Sequence, residues 1–262
     1  MRYAVVGASG RMGRAIVRLG CEMTDATLVA AVSAQDVGQD AGLLAGVGSL
    51  GVKVESSLDA LVRARADVVI DFSAPAVMLE LAPLLAGAGI RLVSGTTGLG
   101  DEHKRVLEDA AKRVAVLWEP NMSMGVHVLS RLVAQAVRAL GPAYDIEIVE
   151  AHHRMKVDAP SGTAILLAQK AKDARQDSTA YVYGREGKPG ARKSSEIAVL
   201  AMRGGDVIGD HSVHLMGLGE RVELTHRATN RDVFAHGALR AAAWIATRSA
   251  GSYSLTDVIG TM

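Results

Sequence analysis

The chain has 262 residues, 49% of them hydrophobic and 22% charged, so it can bury a substantial core and lacks the composition of a disordered protein. Lys and Arg number 29 against 28 acidic residues, which excludes a global positive field for nucleic acid or an anionic membrane. The chain has one cysteine, and none of its apolar runs approaches the roughly 20 residues that a membrane helix needs. It also lacks a signal-peptide pattern, so we predict a soluble cytoplasmic protein.

The first residues predict the opening of a dinucleotide-binding fold. An apolar strand pattern at residues 2–6 leads into a glycine-rich turn and then a helix through residue 19. Here Gly7 permits a tight turn, Gly10 lets the main chain approach a pyrophosphate, and Gly13 lets the helix pack closely on the strand. The spacing G-x-x-G-x-x-G is a variant of the usual fingerprint, and the alternative is a glycine-rich turn that binds no nucleotide.

The end of the second predicted strand, residues 27–32, bears on the choice of cofactor. An acid at this point would bind the ribose hydroxyls of NAD, but the chain has Ser33 there. Serine does not repel a 2′-phosphate, and Arg11 and Arg14 lie in or beside the glycine turn, so NADPH and NADH both remain open. The alternative for Arg11 is a solvated cation at a helix start.

The rest of the front half alternates strands and helices. Residues 36–56 are interpreted as a loop with one short helical turn. Helices are predicted at 57–64, 76–88 and 101–112, and buried strands at 67–72, 90–93 and 114–118. Ligands bind at the carboxyl ends of such parallel strands, where Phe72 and the segment Ser94-Gly95-Thr96-Thr97-Gly98 lie. That segment suits a nicotinamide amide or ribose, and a helix-capping turn is compatible with the same residues.

A break at Glu119-Pro120-Asn121 predicts the domain boundary, giving a first domain at 1–121 and a second at 122–230. The second domain is predicted to contain helices at 125–140 and 164–174 and a strand at 144–149. Residues 178–195 are interpreted as a strand and a flexible loop. Strands at 197–202, 207–208, 211–216 and 221–226 follow, separated by glycine turns. The pattern predicts an α+β domain with a mostly antiparallel sheet, followed by a helix at 231–248.

Fourteen residues, 150–163, concentrate charge between a strand and a helix. Ser161, Gly162 and Thr163 begin the helix, where unpaired N–H groups and the helix dipole can hold a substrate carboxylate. His152 and Lys156 are candidates for proton transfer, because imidazole titrates near neutral pH and a desolvated ammonium can have its pKa lowered. The alternatives are a solvated loop and, more weakly, a serine hydrolase, since no G-x-S-x-G motif is present.

Three histidines, His211, His214 and His226, lie on predicted strands of the second domain. Neither their spacing nor a carboxylate partner makes a convincing zinc site, and alternation along antiparallel strands accounts for them. We therefore predict no metal. His127, near the start of a predicted helix, is interpreted as a surface or packing residue.

The segment E-A-H-H-R-M-K-V-D-A-P-S-G-T-A, residues 150–164, closely resembles the signature of the 4-hydroxy-tetrahydrodipicolinate reductases, or dihydrodipicolinate reductases. The resemblance extends from residues 7–13 to residues 226–231. It implies an oxidoreductase of lysine and diaminopimelate biosynthesis, a branch of amino-acid biosynthesis. Such an enzyme transfers a hydride from NADPH or NADH to the cyclic dicarboxylate imine derived from 4-hydroxy-tetrahydrodipicolinate. The alternatives are another two-domain NAD(P)-dependent reductase of a small amino or imino acid, and a non-catalytic nucleotide sensor.

The resemblance also assigns expected roles. The expected residues are catalytic His152 and Lys156; substrate-binding His153, Ser161, Gly162 and Thr163; and cofactor-binding Gly7, Ala8, Ser9, Gly10, Arg11, Met12, Gly13, Ser33, Phe72, Gly95, Thr96, Thr97, Asn121 and Met122. It implies that residues 231–262 pack back on a Rossmann-like first domain and that the second-domain sheet forms a homotetramer. The chain departs from the family at Ser33 and Ala74, where some members have cofactor-binding side chains, and at Met122, which replaces an aromatic ring.

Overall fold

The computed structural model describes residues 1–175 and 179–260, which form two compact units. The first unit consists of residues 1–124 and 232–260, and the second consists of Gly125–Arg231. Two separate stretches of chain therefore build the first unit, because the second unit is inserted between them in the sequence. None of the helices in the described ranges has the length and apolar character needed to cross a bilayer.

The described residues form strands and helices in regular succession. The strands are β1 (Arg2–Val6), β2 (Thr27–Val32), β3 (Val54–Glu55), β4 (Val68–Asp71), β5 (Arg91–Ser94), β6 (Ala115–Trp118), β7 (Asp145–His152), β8 (Ala180–Val182), β9 (Glu196–Arg203), β10 (Gly209–Met216), β11 (Arg221–Ala228) and β12 (Gly251–Tyr253). The helices are α1 (Arg11–Gly20), α2 (Ala41–Ala45), α3 (Asp59–Arg63), α4 (Pro75–Ala88), α5 (Asp101–Ala111), α6 (Met124–Leu140), α7 (Gly162–Arg175), α8 (Asp232–Ile245) and α9 (Leu255–Ile259).

The described part of the first unit contains a seven-stranded parallel sheet with the strand order β12-β6-β5-β4-β1-β2-β3. Helices cover both faces, as neighbouring residues of β1 show. Val5 packs in a core with Ile16 of α1 and Ile245 of α8. Ala4 packs in a second core with Leu81 of α4. Since β4 is buried along its whole length, the continuous apolar pattern of the predicted parallel strands is explained, and the Rossmann-like prediction is confirmed.

The second unit contains a mixed sheet with the strand order β11-β10-β7-β9-β8. β10 is antiparallel to β11 and β7, whereas β9 is parallel to β7 and β8. Burial alternates along β7, and Ile146 and Ile148 pack on one face with Val133 of α6 and Leu167 of α7. This face is the core of the unit.

The structure differs from the sequence-based reading of the second unit in several places. The sheet is mixed rather than mostly antiparallel, because α7 and the long segment 183–195 each return the chain so that the next strand can pair in parallel. Residues 207–208 are not a strand, and β10 begins at Gly209, where a turn was predicted. β7 continues through His152, so this histidine belongs to the sheet. Ser178, the predicted start of the next strand, lies outside the described residues.

Candidate active site

The turn between β1 and α1 brings backbone atoms closer together than side chains would allow. Gly7 has a φ of +80°, and a Cβ there would lie 2.4 Å from the carbonyl oxygen of Phe72. A Cβ on Gly13 would lie 2.2 Å from the oxygen of Gly7, and one on Gly10 would lie 3.2 Å from the same atom. Glycine is therefore needed at Gly7 and Gly13 for the turn and for the packing of α1 against it.

The N-terminus of α1 is suited to an anion. No side chain caps the helix, and the first N–H groups of an α-helix have no acceptor within it. Ala8 and Ser9 are buried in the turn, and the Ser9 hydroxyl donates to the carbonyl oxygen of Gln35 at 2.9 Å. Arg11 is exposed and Met12 is half-buried at the start of the helix. A phosphate group bound here would meet both N–H groups and a positive dipole end.

Charged and polar groups lie together after β2. Ser33 is half-buried, and its hydroxyl accepts a hydrogen bond from the N–H of Gln35 at 3.3 Å. Arg14 donates to the carbonyl oxygen of Ser9 at 2.8 Å and to the carboxylate of Asp36 at 3.1 Å. Asp36 therefore brings to this region a carboxylate that the sequence analysis did not identify, and it partly neutralises Arg14.

Asp71 is a buried carboxylate at the carboxyl end of β4. Its Oδ1 accepts hydrogen bonds from the N–H and the hydroxyl of Ser73, at 3.1 and 2.5 Å. Its Oδ2 accepts from the hydroxyls of Ser94 and Thr96, both at 2.7 Å. The indole N–H of Trp118 donates to the carbonyl oxygen of Thr96 at 2.9 Å. Asp71 therefore joins the ends of β4 and β5 to the segment that follows each strand.

The other predicted cofactor residues of the first unit differ in accessibility. Gly95 is buried, and a Cβ there would lie 2.2 Å from the ring of Phe72, whereas Thr97 is exposed. Asn121 is half-buried, and its Oδ1 accepts from the N–H of Ser123 at 2.9 Å. Met122 is 1% exposed and belongs to the core of the unit. Its side chain therefore packs inside the first unit, and the expected contact with a cofactor stays a prediction.

In the second unit, the carboxylate of Glu150 is the centre of a buried polar network. Glu150 lies on the core face of β7 and has no exposed surface. Its Oε2 is 2.6 Å from Nδ1 of His152, and its Oε1 accepts from the N–H of Ser161 at 3.0 Å. Arg203, at the end of β9, donates to both oxygens at 2.8 Å. One carboxylate thus joins a histidine ring, the residue before α7 and a neighbouring strand.

The surroundings of His152 determine which ring nitrogen carries hydrogen in the neutral form. Burial opposes ionisation of Glu150, but hydrogen bonds from Arg203, His152 and Ser161 outweigh it and lower the pKa of this carboxyl group. Because the carboxylate only accepts, Nδ1 of His152 must donate to it. Burial lowers the pKa of His152; the bond to Glu150 opposes this, and the charges of Lys156 and Arg203 reinforce it. The neutral ring therefore has an unprotonated Nε2.

Ser161 and His211 extend the network. Ser161 is 2% exposed; its hydroxyl accepts from the N–H of Ala164 at 3.2 Å and lies 3.1 Å from Nε2 of His211. His211 is also buried, and its ring makes an edge contact with that of His152 at a centroid distance of 5.2 Å. The N–H and the hydroxyl of Ser161 are thus already bonded within the protein. The expected contact between Ser161 and a substrate stays a prediction.

Lys156 and His153 lie in the segment between β7 and α7. The side chain of Lys156 is 22% exposed, and its ammonium donates to Asp158 at 2.7 Å. The N–H of His153 donates to the carbonyl oxygen of Val207 at 2.7 Å, and the side chain is half-buried. Arg203 donates to the carbonyl oxygen of Asp158 at 2.6 Å, so the Glu150 network also supports this segment.

The first turn of α7 is open to a ligand. Gly162 is exposed, and no atom lies within 4 Å of the position that its Cβ would occupy. Thr163 is half-buried at the second position of this fourteen-residue helix. The structure therefore brings Gly162 and Thr163 to the same helix end as the buried Ser161, which is bonded to Glu150.

The histidines considered for a metal have other surroundings. His211 packs in the network, His214 lies 3.5 Å from Glu223, and His226 pairs with His211 in the register of β10 and β11. In residues 1–175 and 179–260, no group of three or more His, Cys, Asp or Glu side chains is arranged to hold a metal ion.

Four residues of these clusters are not among the site residues predicted from the sequence, namely Asp71, Glu150, Arg203 and His211. A signal was available for Glu150 and His211, because each occupies a core-facing position on a strand whose alternation also places apolar residues on that face. No comparable signal marks Arg203.

Both parts of the chain match family models. The model described as dihydrodipicolinate reductase, N-terminus, matches residues 1–122, and the model described as dihydrodipicolinate reductase, C-terminus, matches residues 125–259.

Similar proteins match over their full length. The chain is 46% identical over 268 residues to the 4-hydroxy-tetrahydrodipicolinate reductase of Myxococcus xanthus (strain DK1622), covering 99% of this chain and 98% of that protein. It is 49% identical over 263 residues to the protein of the same name from Anaeromyxobacter sp. (strain Fw109-5), with the same coverage. The solved structure of a dipicolinate-bound dihydrodipicolinate reductase from Paenisporosarcina sp. TG-14 aligns with a TM-score of 0.78, 26% identity and 97% of each chain. By sequence, by domain and by fold, the chain belongs to the dihydrodipicolinate reductase family.

Proposed function

We propose that the chain reduces the cyclic imine derived from 4-hydroxy-tetrahydrodipicolinate to tetrahydrodipicolinate, in lysine and diaminopimelate biosynthesis. One observation carries the proposal. The buried carboxylate of Glu150 bonds both the ring of His152 and the residue that precedes the open N-terminus of α7. A proton-transfer group and a carboxylate-binding helix end are therefore held together, as the reduction of a dianionic ring requires. Family membership supports the same reaction.

The residues of the first unit fit a pyridine dinucleotide. A Cβ at Gly7 or Gly13 would collide with backbone, so the turn keeps the bare surface that a pyrophosphate needs. When bound, NADH or NADPH supplies the hydride. The residues proposed to hold it are Gly7, Ala8, Ser9, Gly10, Arg11, Met12, Gly13, Ser33, Phe72, Gly95, Thr96, Thr97 and Asn121. Acceptance of both cofactors is favoured by Ser33, which does not repel a 2′-phosphate, and by Asp36, which partly neutralises Arg14.

The second unit is proposed to bind the two carboxylates of the substrate. Gly162 and Thr163 lie in the open first turn of α7, where N–H groups and the helix dipole favour an anion. His153 is proposed to bind the substrate from the segment preceding the helix. Ser161 acts indirectly, because its N–H and hydroxyl hold Glu150 and His211.

His152 and Lys156 are proposed to transfer the proton. Addition of a hydride to the conjugated ring leaves an enamine-like intermediate, which must gain a proton at carbon. Nε2 of His152 is the nitrogen left for this exchange, because Nδ1 is bonded to Glu150. The ammonium of Lys156 is the second donor, held near the same segment by Asp158.

We further propose that the protein is a cytoplasmic homotetramer that assembles through the five-stranded sheet. The face opposite α6 and α7 carries a row of uncharged side chains across four strands, namely Leu200, Val149, Ser212 and Thr225. Met202, 56% exposed, lies beside this row. An uncharged row of side chains with an exposed apolar side chain beside it is suited to association with a second copy.

The test of function is oxidation of the reduced cofactor when freshly generated 4-hydroxy-tetrahydrodipicolinate is added. Turnover with NADH and NADPH at several concentrations would also measure their relative use. Oxidation with another imino acid but not with this substrate would support a different reductase. Cofactor binding without turnover of any imino acid would indicate a nucleotide sensor.

A further inference from the structure

The buried Glu150 and the partly exposed Arg203 form a bidentate ion pair that nothing in the proposed reaction requires to touch the substrate. Each guanidinium nitrogen of the fork bonds a different carboxylate oxygen at 2.8 Å. The carboxylate has no exposed surface, and Arg203 is 20% exposed. A buried ion pair of this kind adds little net stability compared with apolar side chains of similar volume. Its geometry therefore points to a role in arranging the groups attached to it.

Those attached groups are the ones that the proposed function uses. Oε2 of Glu150 bonds Nδ1 of His152, and Oε1 bonds the N–H of Ser161, directly before the first turn of α7. Gly209 leaves space for the ring on its other side, since a Cβ there would lie 3.0 Å from Nε2 of His152. The ring is thus held at Nδ1 by Glu150 and has a glycine beside Nε2.

We propose, on the basis of the proposed function, that Glu150 and Arg203 are positioning residues that fix the Nδ1–H tautomer of His152 and align it with the N-terminus of α7. The hydrogen bond between Glu150 and Nδ1 orients the ring of His152. Arg203 balances the carboxylate charge, so that the ring is oriented without being held as a permanent cation. Protonated Nε2 gives one proton to the enamine carbon, and the neutral ring then recovers a proton from water. Neither Glu150 nor Arg203 changes its own protonation in this step.

Two substitutions should move the titration of His152 in opposite directions. The charged groups facing the ring are Glu150 on β7, Lys156 on the following segment and Arg203 on β9, with His211 contributed by β10. Glu150→Gln removes the favourable negative charge and lets the amide donate to Nδ1, so the ring pKa should fall and hydrogen should move to Nε2. Arg203→Met removes a repelling cation and leaves the carboxylate unbalanced, so the ring pKa should rise while Nδ1 keeps its hydrogen.

The experiment is ¹⁵N NMR of the protein labelled at histidine, recorded against pH without substrate, with the His152→Gln spectrum used to assign the signal. Wild type should show a protonated Nδ1 and an unprotonated Nε2 in the neutral ring. Turnover by Glu150→Gln should fall by at least about 100-fold, as expected when a catalytic imidazole adopts the wrong tautomer, with cofactor affinity unchanged. Glu150→Asp, which keeps the carboxylate, should recover part of this loss.

Glu147→Gln is the matched control. Glu147 lies on the same strand, is 13% exposed and has its own bonds to Arg185 at 2.9 and 3.0 Å, but it occupies the other face of the sheet. The Glu147→Gln substitution should leave the ¹⁵N signals of His152 unchanged. The proposal is overturned if the neutral ring of His152 in wild type carries its hydrogen on Nε2, and this measurement does not depend on the folding of any variant. It is also overturned if Glu150→Gln and Arg203→Met shift the pKa of His152 in the same direction. Failure of the proposed function is a separate result, since it would appear as absent turnover by wild type.

Discussion

At the scale of single residues, His152 and Lys156 have different partners and different exposure. Nδ1 of His152 is 2.6 Å from a buried carboxylate, whereas the ammonium of Lys156 bonds Asp158, which is 54% exposed. Both side chains belong to the second unit, whereas the glycine turn that is proposed to bind cofactor belongs to the first. Their loss should therefore affect chemistry and leave the cofactor site intact.

We predict that His152→Gln and Lys156→Ala each lower turnover by about 10²–10⁴-fold, the usual contribution of general acid–base catalysis. The dissociation constant for NAD(P)H should stay within about twofold of wild type, measured by quenching of protein fluorescence. His236→Gln, at an exposed position on α8, is the control and should leave both quantities unchanged. Equal losses of turnover and cofactor affinity would contradict the assigned roles.

Gly13 offers a second test at a single residue. A Cβ would lie 2.2 Å from the oxygen of Gly7 and 2.6 Å from Cα of Ala8, and both are backbone atoms that cannot rotate away. Gly13→Ala should weaken NAD(P)H binding by at least tenfold and destabilise the protein by about 1–3 kcal/mol, as overpacking usually does. In Gly87→Ala on α4 the added Cβ would meet no atom within 4 Å, so binding should be unchanged and stability slightly increased. Unimpaired binding by Gly13→Ala would refute the role of the turn.

At the scale of elements, Asp71 connects β4, β5 and the segment after β5 through hydroxyl donors. Replacing it with asparagine would turn an NH₂ group toward the hydroxyls of Ser94 and Thr96 and remove their acceptor. We predict that Asp71→Asn weakens cofactor binding about tenfold, measured by calorimetry. Asp67→Asn is the control. Asp67 lies directly before the first residue of β4, at the opposite end of the strand from Asp71, and its carboxylate accepts a hydrogen bond from the N–H of Arg2. An unchanged cofactor affinity in Asp71→Asn would show that this anchor is dispensable.

His211, near the start of β10 in the second-unit sheet, should make the free energy of unfolding depend on pH. Burial lowers the pKa of His211 to about 4, and the neighbouring charge of His152 reinforces the shift. The unfolded chain, with a histidine pKa of about 6.5, binds more protons between these values, so stability falls as pH decreases through this window. The loss is on the order of 3 kcal/mol when complete. Burial lowers the pKa of His226 as well, which adds to the same trend.

Urea unfolding midpoints at pH 7.5 and pH 5 provide the measurement, because carboxyl groups contribute little to the change in this range. We expect a lower midpoint at pH 5 in wild type and a smaller difference in His211→Gln. An identical pH dependence in wild type and variant would show that His211 is not the group responsible.

At the scale of the whole molecule, the chain contributes two stretches to one unit and inserts the other unit between them. The residues proposed to bind cofactor belong to the first unit, and those proposed to bind substrate and transfer the proton belong to the second. A sheet whose one face packs on α6 and α7 leaves the other face for association, and the row through Val149 and Ser212 crosses its centre.

We predict a tetramer of about 110 kDa, four times the chain mass of 27.4 kDa, in sedimentation or light-scattering measurements. Ser212→Lys would place a charge in the middle of the proposed interface and should yield smaller species. Lys53→Ser, a change of charge in the first unit, should not alter the mass. A monomeric wild type at micromolar concentration would exclude the proposed assembly.

The sequence alone determined the parallel architecture of the first unit, most element positions, the glycine turn and the segment that carries His152 and Lys156. These features depend on residues close in the chain, where apolar period, turn chemistry and helix starts can be read directly. The sequence also predicted α7, but it did not predict that Ser161, directly before this helix, is buried.

Only the tertiary structure decided the polar partners and the direction of the strands. Arg203 reaches Glu150 across 53 positions of sequence, and His211 reaches Ser161 across 50. Such contacts depend on strand register and on the long return of residues 183–195, neither of which local periodicity specifies. A buried carboxylate can accept hydrogen bonds from several donors, and the tertiary fold decides which donors lie close enough to bond it. The fold class therefore followed from local pattern, whereas the protonation geometry of His152 followed from the sheet.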